Sequence, residues 1–448
     1  MIGSAASPVP TRALVLGLGV TGRAVVAALV AHGSSVTATD DRLGAEGAAL
    51  AAELGATWVD PPADSWVELV ATHDGVLPSP GVPEGHPIFA AARIARVPVR
   101  SELDLAAAWD DRPIALITGT NGKTTVTTMV TEMLEASGIA AMAAGNVEVP
   151  LVAAIADPGP QAFVVEASSF RLTFATAHRP AVATWLNFAP DHLDVHLDLE
   201  GYEMAKARVW ANHHLGGLAV ANADDPVVAR HAPRGERSQT FGLSGPADWH
   251  VADGRLRGPD GLDLVGTDEL VRDLPHDRAN ALAAAATAVG MGADLDAVRT
   301  VLRRFRGLPH RMELVGESGA VRWYDDSKAT APHATVAALS GLESAVLIAG
   351  GRNKGLDLGE LAVLAPRLRA VVAIGEAAAE VVAAFADEVP TTVAVSMDEA
   401  VTDAAAAARP GDAVVLSPAC ASFDWYDGYG SRGDDFARAV RARLELAS

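Results

Sequence analysis

Ile114–Thr125 reads IALITGTNGKTT, and its three parts ask for three conformations. Ile114–Thr118 is a short apolar, β-branched run, which reads as a buried strand. Gly119-Thr120-Asn121-Gly122 is a polar loop bounded by glycines, and Lys123-Thr124-Thr125 opens a helical stretch running to Ser137-Gly138. Backbone amides of such a loop, together with the positive end of the helix dipole, make a cradle for phosphate. Lys123 would then reach β/γ oxygens and the Thr124 hydroxyl would meet Mg²⁺. The common spacing GxxxxGK[ST] needs glycine at 117, where this chain has Ile117, so the loop is a shortened variant.

Working outward, apolar runs alternate with alanine-rich helical stretches on both sides, the pattern of βα units around mostly parallel sheets. Upstream, RALVLG at 12–17 precedes a glycine turn, a helix to about His32 and a strand Val36–Thr39. Downstream come strands Ala162–Val165 and Ala181–Leu186, then helices Asn280–Val289 and 295–305. Beyond Gly307-Leu308-Pro309, strands fall near 321–324, 345–348, 370–374 and 413–416. The expected fold is α/β with three domains at 1–103, 104–306 and 307–448. The first is Rossmann-like, the second a P-loop-type ATPase sheet and the third Rossmann-like. A length of 448 residues suits three domains at roughly 100–200 residues each.

Composition narrows the function. Acidic residues outnumber basic ones 56 to 35, a formal charge of −21, which disfavours general binding to nucleic acid or anionic membrane. No apolar run approaches the roughly 18 residues of a membrane span. The single cysteine, Cys420, cannot form an intrachain disulfide and fits a reducing cytoplasm. The opening MIGSAASPVPTR lacks the order of a signal peptide and reads as a short tail. Only four basic residues are lysine: Lys123, Lys206, Lys328 and Lys354. Arginine replaces lysine on most surfaces, but not where a compact or deprotonatable amine is needed.

Three further groups are candidates. Gly17-Leu18-Gly19-Val20-Thr21-Gly22 matches GxGxxG between strand and helix, and Asp40 ends the following strand; the ligand could be NAD or another nucleotide diphosphate. Glu166 ends the apolar run AFVVE, where a carboxylate can face a ligand over the sheet edge. His192, in Asp191-His192-Leu193-Asp194, follows another strand. Both suit magnesium or substrate contacts.

GTNGKTT, EASSF, NFAPDHLD, AKARVW, HDRANALAA, GLPHRME, DDSKAT and GGRNKG occur in the order found in the Mur ligase family, and the chain resembles it over essentially its whole length. SPG at 79–81, SELDL at 101–105 and SPACASFDWYDGYGSRGDDF at 417–436 resemble the branch that adds D-glutamate. The resemblance implies ATP-dependent joining of D-glutamate to UDP-N-acetylmuramoyl-L-alanine by way of an acyl phosphate, in peptidoglycan precursor synthesis by a cytoplasmic, monomeric enzyme. It moves GLGVTG from NAD to uridine diphosphate, with Val20, Thr21, Asp40, Arg42, Ser79, Pro80 and Gly81 as contacts and Asn146 at the muramyl end. It gives ATP to Gly119, Asn121, Gly122, Lys123, Thr124, Thr125, Asn280, Arg311, Asp326 and Lys328. Magnesium falls to Thr124, Glu166 and His192. D-glutamate falls to Thr330, Lys354, Ser422 and Tyr429, the last in place of a common phenylalanine.

The four lysines each fall inside one of these short segments. Lys206, after the acidic DHLDVHLDLE, is expected to be carbamylated: an ammonium beside magnesium is repelled, whereas a carbamate offers oxygens to the metal. Its bland alternative is a solvated helix residue pairing with Glu203. Lys123, Glu166, His192 and Lys206 form the expected catalytic set. Another amino-acid-adding ligase of the same family remains an alternative. A nicotinamide dehydrogenase would explain GLGVTG but neither GTNGKTT nor the lysines, and a nucleotide-regulated binding protein would not need Lys206.

Overall fold

The structure is a computed structural model that describes residues 9–62, 65–146, 149–191, 195–386 and 388–447; most of the N-terminal tail lies outside that range. The chain forms two compact units. One runs to Leu270 and takes in Arg278–Arg304; the other joins Val271–Asp277 to Phe305–Ser448.

The first unit carries two parallel sheets and a small antiparallel one. Its N-terminal sheet has the order Thr57–Trp58, Ser35–Thr39, Arg12–Leu16, Gly75–Pro78. The second sheet orders its strands Ser238–Phe241, Leu218–Asn222, Val182–Trp185, Ile114–Thr118, Ala162–Glu166, Ala141–Gly145, again all parallel. Ile114–Thr118 is central and buried on both faces, which is why it reads as an unbroken apolar run rather than an alternating one. The chain passes from it to Ala141–Gly145 on one side, and after Ala162–Glu166 crosses to Val182–Trp185 on the other, so the direction of winding switches at its C-terminal end, where α/β sheets place ligands. A small antiparallel sheet of His250–Ala252, Arg255–Arg257 and Asp263–Gly266 follows.

The boundary expected at 103 falls inside a helix, Glu102–Trp109, that serves two cores. Leu103 and Ala106 pack into the core of the second sheet, whereas Leu105 and Trp109 pack with Val25, Val26 and Leu29 of the first. Spacings of three and four residues put each pair on its own helix face.

The second unit carries a six-stranded mixed sheet: Glu313–Ser318, antiparallel to Val321–Asp325, then Ala413–Leu416, Ala345–Gly350, Leu368–Ile374 and Thr391–Val393 in parallel. The long segment of this unit starts at Phe305, beside the junction expected at 306, and Val271–Asp277 join it. The helix expected from Asn280 starts at Pro275, because proline suits a first helical turn, and its residues up to Asp277 belong to the second unit. Among the described residues no helix is long and apolar enough to cross a membrane.

Candidate active site

The loop after Ile114–Thr118 is held open from the neighbouring strand. Asn187 Oδ1 accepts from the amides of Thr120 (3.1 Å) and Asn121 (2.8 Å), while its Nδ2 donates to Asn121 O at 3.1 Å. Gly122 takes φ +82° before the helix Lys123–Ala136 begins, and Asn280 lies against it: a Cβ there would meet Asn280 Oδ1 at 2.5 Å. Lys123 Nζ folds back to donate to Gly119 O and Thr120 O, both at 2.8 Å. That leaves its ammonium over the loop where phosphate oxygens would compete for it. Thr125 continues the same helix half-buried.

Glu166 ends strand Ala162–Glu166 with 3% of its surface exposed. Thr124 Oγ1 donates to its Oε2 at 2.8 Å and Asn146 Nδ2 to its Oε1 at 3.1 Å. The loop threonine, the strand-end carboxylate and the asparagine expected at the muramyl end thus meet at one point.

Lys206 completes the cluster from the helix Leu199–Ala207, which Asp198 caps by accepting from Gly201 N at 2.7 Å. It is 1% exposed; its Nζ donates to Gly119 O at 2.8 Å and stands 4.6 Å from the centre of the Tyr202 ring. The Tyr202 hydroxyl in turn meets Thr120 Oγ1 at 3.2 Å. Burial, and then the Lys123 ammonium, push the Lys206 amine well below the ordinary lysine value against the pull of Asp191 and Glu166. The Glu203 pairing fails: Glu203 instead binds Arg230 and His231, on the other flank of the helix. His192 lies outside the described residues.

In the N-terminal sheet, Asp40 accepts from Leu18 N (2.7 Å) and Arg42 N (2.9 Å), closing the glycine turn over the strand ends. Ser79 Oγ donates to Gly17 O at 2.7 Å, and Pro80-Gly81 complete the turn beside it. Gly22 admits no side chain, since a Cβ would lie 1.8 Å from Gly17 O. Val20 is exposed on the first turn of the helix Val20–Ala31, whereas Thr21 is buried and its hydroxyl accepts from Arg171.

In the second unit, burial pushes the Asp326 carboxyl up to about 7, although Ser417 Oγ and Met312 N donate to it at 2.7 and 3.2 Å. Lys328 Nζ stands 3.9 Å from the centre of the Tyr429 ring, and His310 meets that ring edge-on. Arg311 follows His310, whose φ of +59° turns the chain there. Ser422 is buried, Thr330 half-buried and Lys354 exposed after strand Ala345–Gly350. Arg432, buried and with its guanidinium lowered to about 10 by desolvation, donates to Ser327 Oγ (2.9 Å), Ser327 O (2.8 Å) and Cys420 O (3.1 Å). Burial pushes the Cys420 thiol up to about 12, consistent with a packing role.

Sequence reading missed Asn187, Tyr202, Arg171 and Arg432. Asn187 carried a signal, a polar residue directly after an apolar strand. The others show no local pattern.

Three family descriptions match along the chain: Mur ligase MurD-like, N-terminal domain, over 11–101; Mur ligase middle domain, over 117–288; and Mur ligase, glutamate ligase domain, over 310–420. A UDP-N-acetylmuramoylalanine--D-glutamate ligase of Frankia casuarinae is 42% identical over 455 residues, covering 96% of this chain and 94% of that protein. One from Desulfosudis oleivorans is 40% identical, covering 97% of each. Among solved structures, a pseudomurein peptide ligase type C from Methanothermus fervidus superposes with a TM-score of 0.59 at 18% identity, covering 98% of this chain and 100% of that one. UDP-N-acetylmuramate-alanine ligase MurC from Thermotoga maritima gives 0.54 at 18%, covering 97% and 100%; at such identities these two speak for the fold alone. With a glycine-bounded loop, a strand-end glutamate and a buried amine gathered at one sheet edge, three matching family descriptions, and near full-length similarity to the Frankia and Desulfosudis ligases, the chain belongs to the Mur ligase family.

Proposed function

We propose that this chain joins D-glutamate to UDP-N-acetylmuramoyl-L-alanine at the expense of ATP, as a monomeric cytoplasmic enzyme of peptidoglycan precursor synthesis. The observation that carries the reading is the meeting of Lys123, Thr124, Asn146, Glu166 and Lys206 at the end of the central strands. A dehydrogenase has no use for that cluster. Residues 1–103 take the UDP-substrate through Val20, Thr21, Asp40, Arg42, Ser79, Pro80 and Gly81, residues 104–306 take ATP, and residues 307–448 take the amino acid. Asn280, Arg311, Asp326 and Lys328 serve ATP; Thr330, Lys354, Ser422 and Tyr429 serve D-glutamate. A free buried Cys420 suits a reducing compartment.

A carboxylate and an amine do not condense unaided in water, so the carboxylate must first gain a leaving group. The L-alanyl carboxylate oxygen attacks the γ-phosphorus, the bond to the β–γ bridging oxygen breaks, and ADP leaves with that electron pair. The product is an acyl phosphate. The D-glutamate amine then adds to its carbonyl carbon, loses a proton, and expels phosphate to leave the amide. Lys123 supplies a fixed positive charge against the γ-phosphoryl oxygens, where preorganised electrostatics contribute most. Loop amides hold the phosphates and Asn146 orients the acceptor end. Thr124 and Glu166 are hard oxygen donors that suit magnesium, which when bound would neutralise phosphate charge. His192 is proposed beside them.

Lys206 fits carbamylation. Burial favours the neutral form of its amine, which can attack CO₂ and release one proton to become a carbamate anion whose oxygens would suit a magnesium ion held by Thr124 and Glu166. Phosphate release is the test: it should require UDP-N-acetylmuramoyl-L-alanine and D-glutamate together. Release with a different amino acid would make the protein another family member, and release independent of the UDP-sugar would overturn the reading.

A further inference from the structure

Arg171 lies in none of the expected site positions, yet its side chain joins one of them, Thr21, to the residue preceding another, Asn146. It is 5% exposed, on the short helix Ser169–Leu172 just past Glu166. Nη1 pairs with Glu102 Oε1 in an ion pair whose side chains are 4% and 3% exposed. Nη2 donates twice, to Thr21 Oγ1 and to Gly145 O, both at 3.0 Å. The other Glu102 oxygen accepts from Val152 N at 2.9 Å, and Ser101 Oγ donates to Arg171 O at 2.7 Å. Nε is buried with no hydrogen-bond partner among the described residues.

Thr21 belongs to the GLGVTG turn of the first sheet. Gly145 immediately precedes Asn146, whose backbone amide and side-chain amide both bond Glu166. One planar guanidinium therefore spans from the UDP-anchoring turn to the strand edge where the phosphoryl group would arrive, and Glu102 of the shared helix clamps it there. A planar fork serves acceptors from separate nitrogens in fixed directions; an ammonium has three donors but all on one nitrogen, so it cannot span the same distance.

We propose that Arg171 is a positioning residue. It sets the distance between the diphosphate anchor and the Asn146–Glu166 edge, so that a substrate held at its uridine end delivers its carboxylate in register with the phosphate loop. This rests on the function proposed above. A bare structural pair would behave differently, because buried ion pairs can be replaced by apolar residues without loss of stability.

The test uses Arg171→Met combined with Glu102→Leu, which removes both charges together, and Arg171→Lys, which keeps the charge but not the span. For both, UDP affinity by calorimetry should stay near wild type, while kcat falls roughly ten- to a hundredfold, the loss expected of a misplaced reacting group. Wild-type kcat in a folded double variant, or in Arg171→Lys should the double variant not fold, would overturn the proposal. So would a loss of UDP affinity matching the loss of kcat. Wild-type protein that releases no phosphate with the UDP-sugar and D-glutamate together would instead overturn the function beneath it, so the two failures are told apart.

Discussion

Lys206 occupies a place where an ammonium is costly: fully buried, close to a second ammonium, with one backbone carbonyl as its hydrogen-bond acceptor among the described residues. Desolvation dominates, and it favours the neutral amine. An arginine at this position keeps the charge at any working pH and is bulkier. Lys206→Arg should therefore drop ligation to near background, and native mass spectrometry should show the mass of one CO₂ on the wild type but not on the variant. Labelled bicarbonate should give a carbamate carbon signal in the wild type alone. Turnover by Lys206→Arg near the wild-type rate would remove the carbamate from the mechanism. The pairing of Glu203 with Arg230 and His231 matters here, because it leaves no surface role to account for the lysine.

At the scale of the element, the strand–loop–helix from Ile114 to Ala136 works because two glycines permit what other residues resist. Gly122 is left-handed and pressed against Asn280; Gly138, beyond the end of the same helix, is also left-handed at φ +80° but open to solvent. Gly138→Ala should cost roughly 1–2 kcal/mol of stability for its backbone alone, with ATP kinetics unchanged. Gly122→Ala bears a similar backbone cost, and its methyl must also displace Asn280. Its KM for ATP should rise while calorimetric affinity for the UDP-sugar holds. Equal ATP kinetics in the two variants would detach Asn280 from the nucleotide site.

For the whole molecule, two units with separate cores give separate stabilities, and Asp326 makes one of them pH-sensitive. Its carboxyl sits near 7 when folded against roughly 3.9 when unfolded. Between those values the folded state retains a proton that the unfolded state has released. The stabilisation is thus complete below about pH 4 and is lost as pH rises through 7, on the order of 4 kcal/mol. Hydrogen exchange at strand Val321–Asp325 should accelerate over that range beyond its intrinsic pH dependence, and Asp326→Asn should flatten the excess. An unchanged slope in Asp326→Asn would assign the sensitivity elsewhere.

The amino-acid sequence by itself determined the alternation of strands and helices, several of the central strands, the glycine-bounded loop at 119–122 and the four-lysine pattern, because apolar periodicity, glycine turns and residue scarcity are local properties. The strand-end position of Glu166 was legible for the same reason. What only the tertiary structure decided is who meets whom. Arg171 reaches Glu102 across 69 residues and Thr21 across 150, Asn187 pins a loop 66 residues away, and Asp326 becomes unusual only once Ser417 and the sheet close over it. No local propensity encodes such contacts. They arise when packed cores bring distant polar groups out of water, and burial then obliges each group to find a partner or give up its charge.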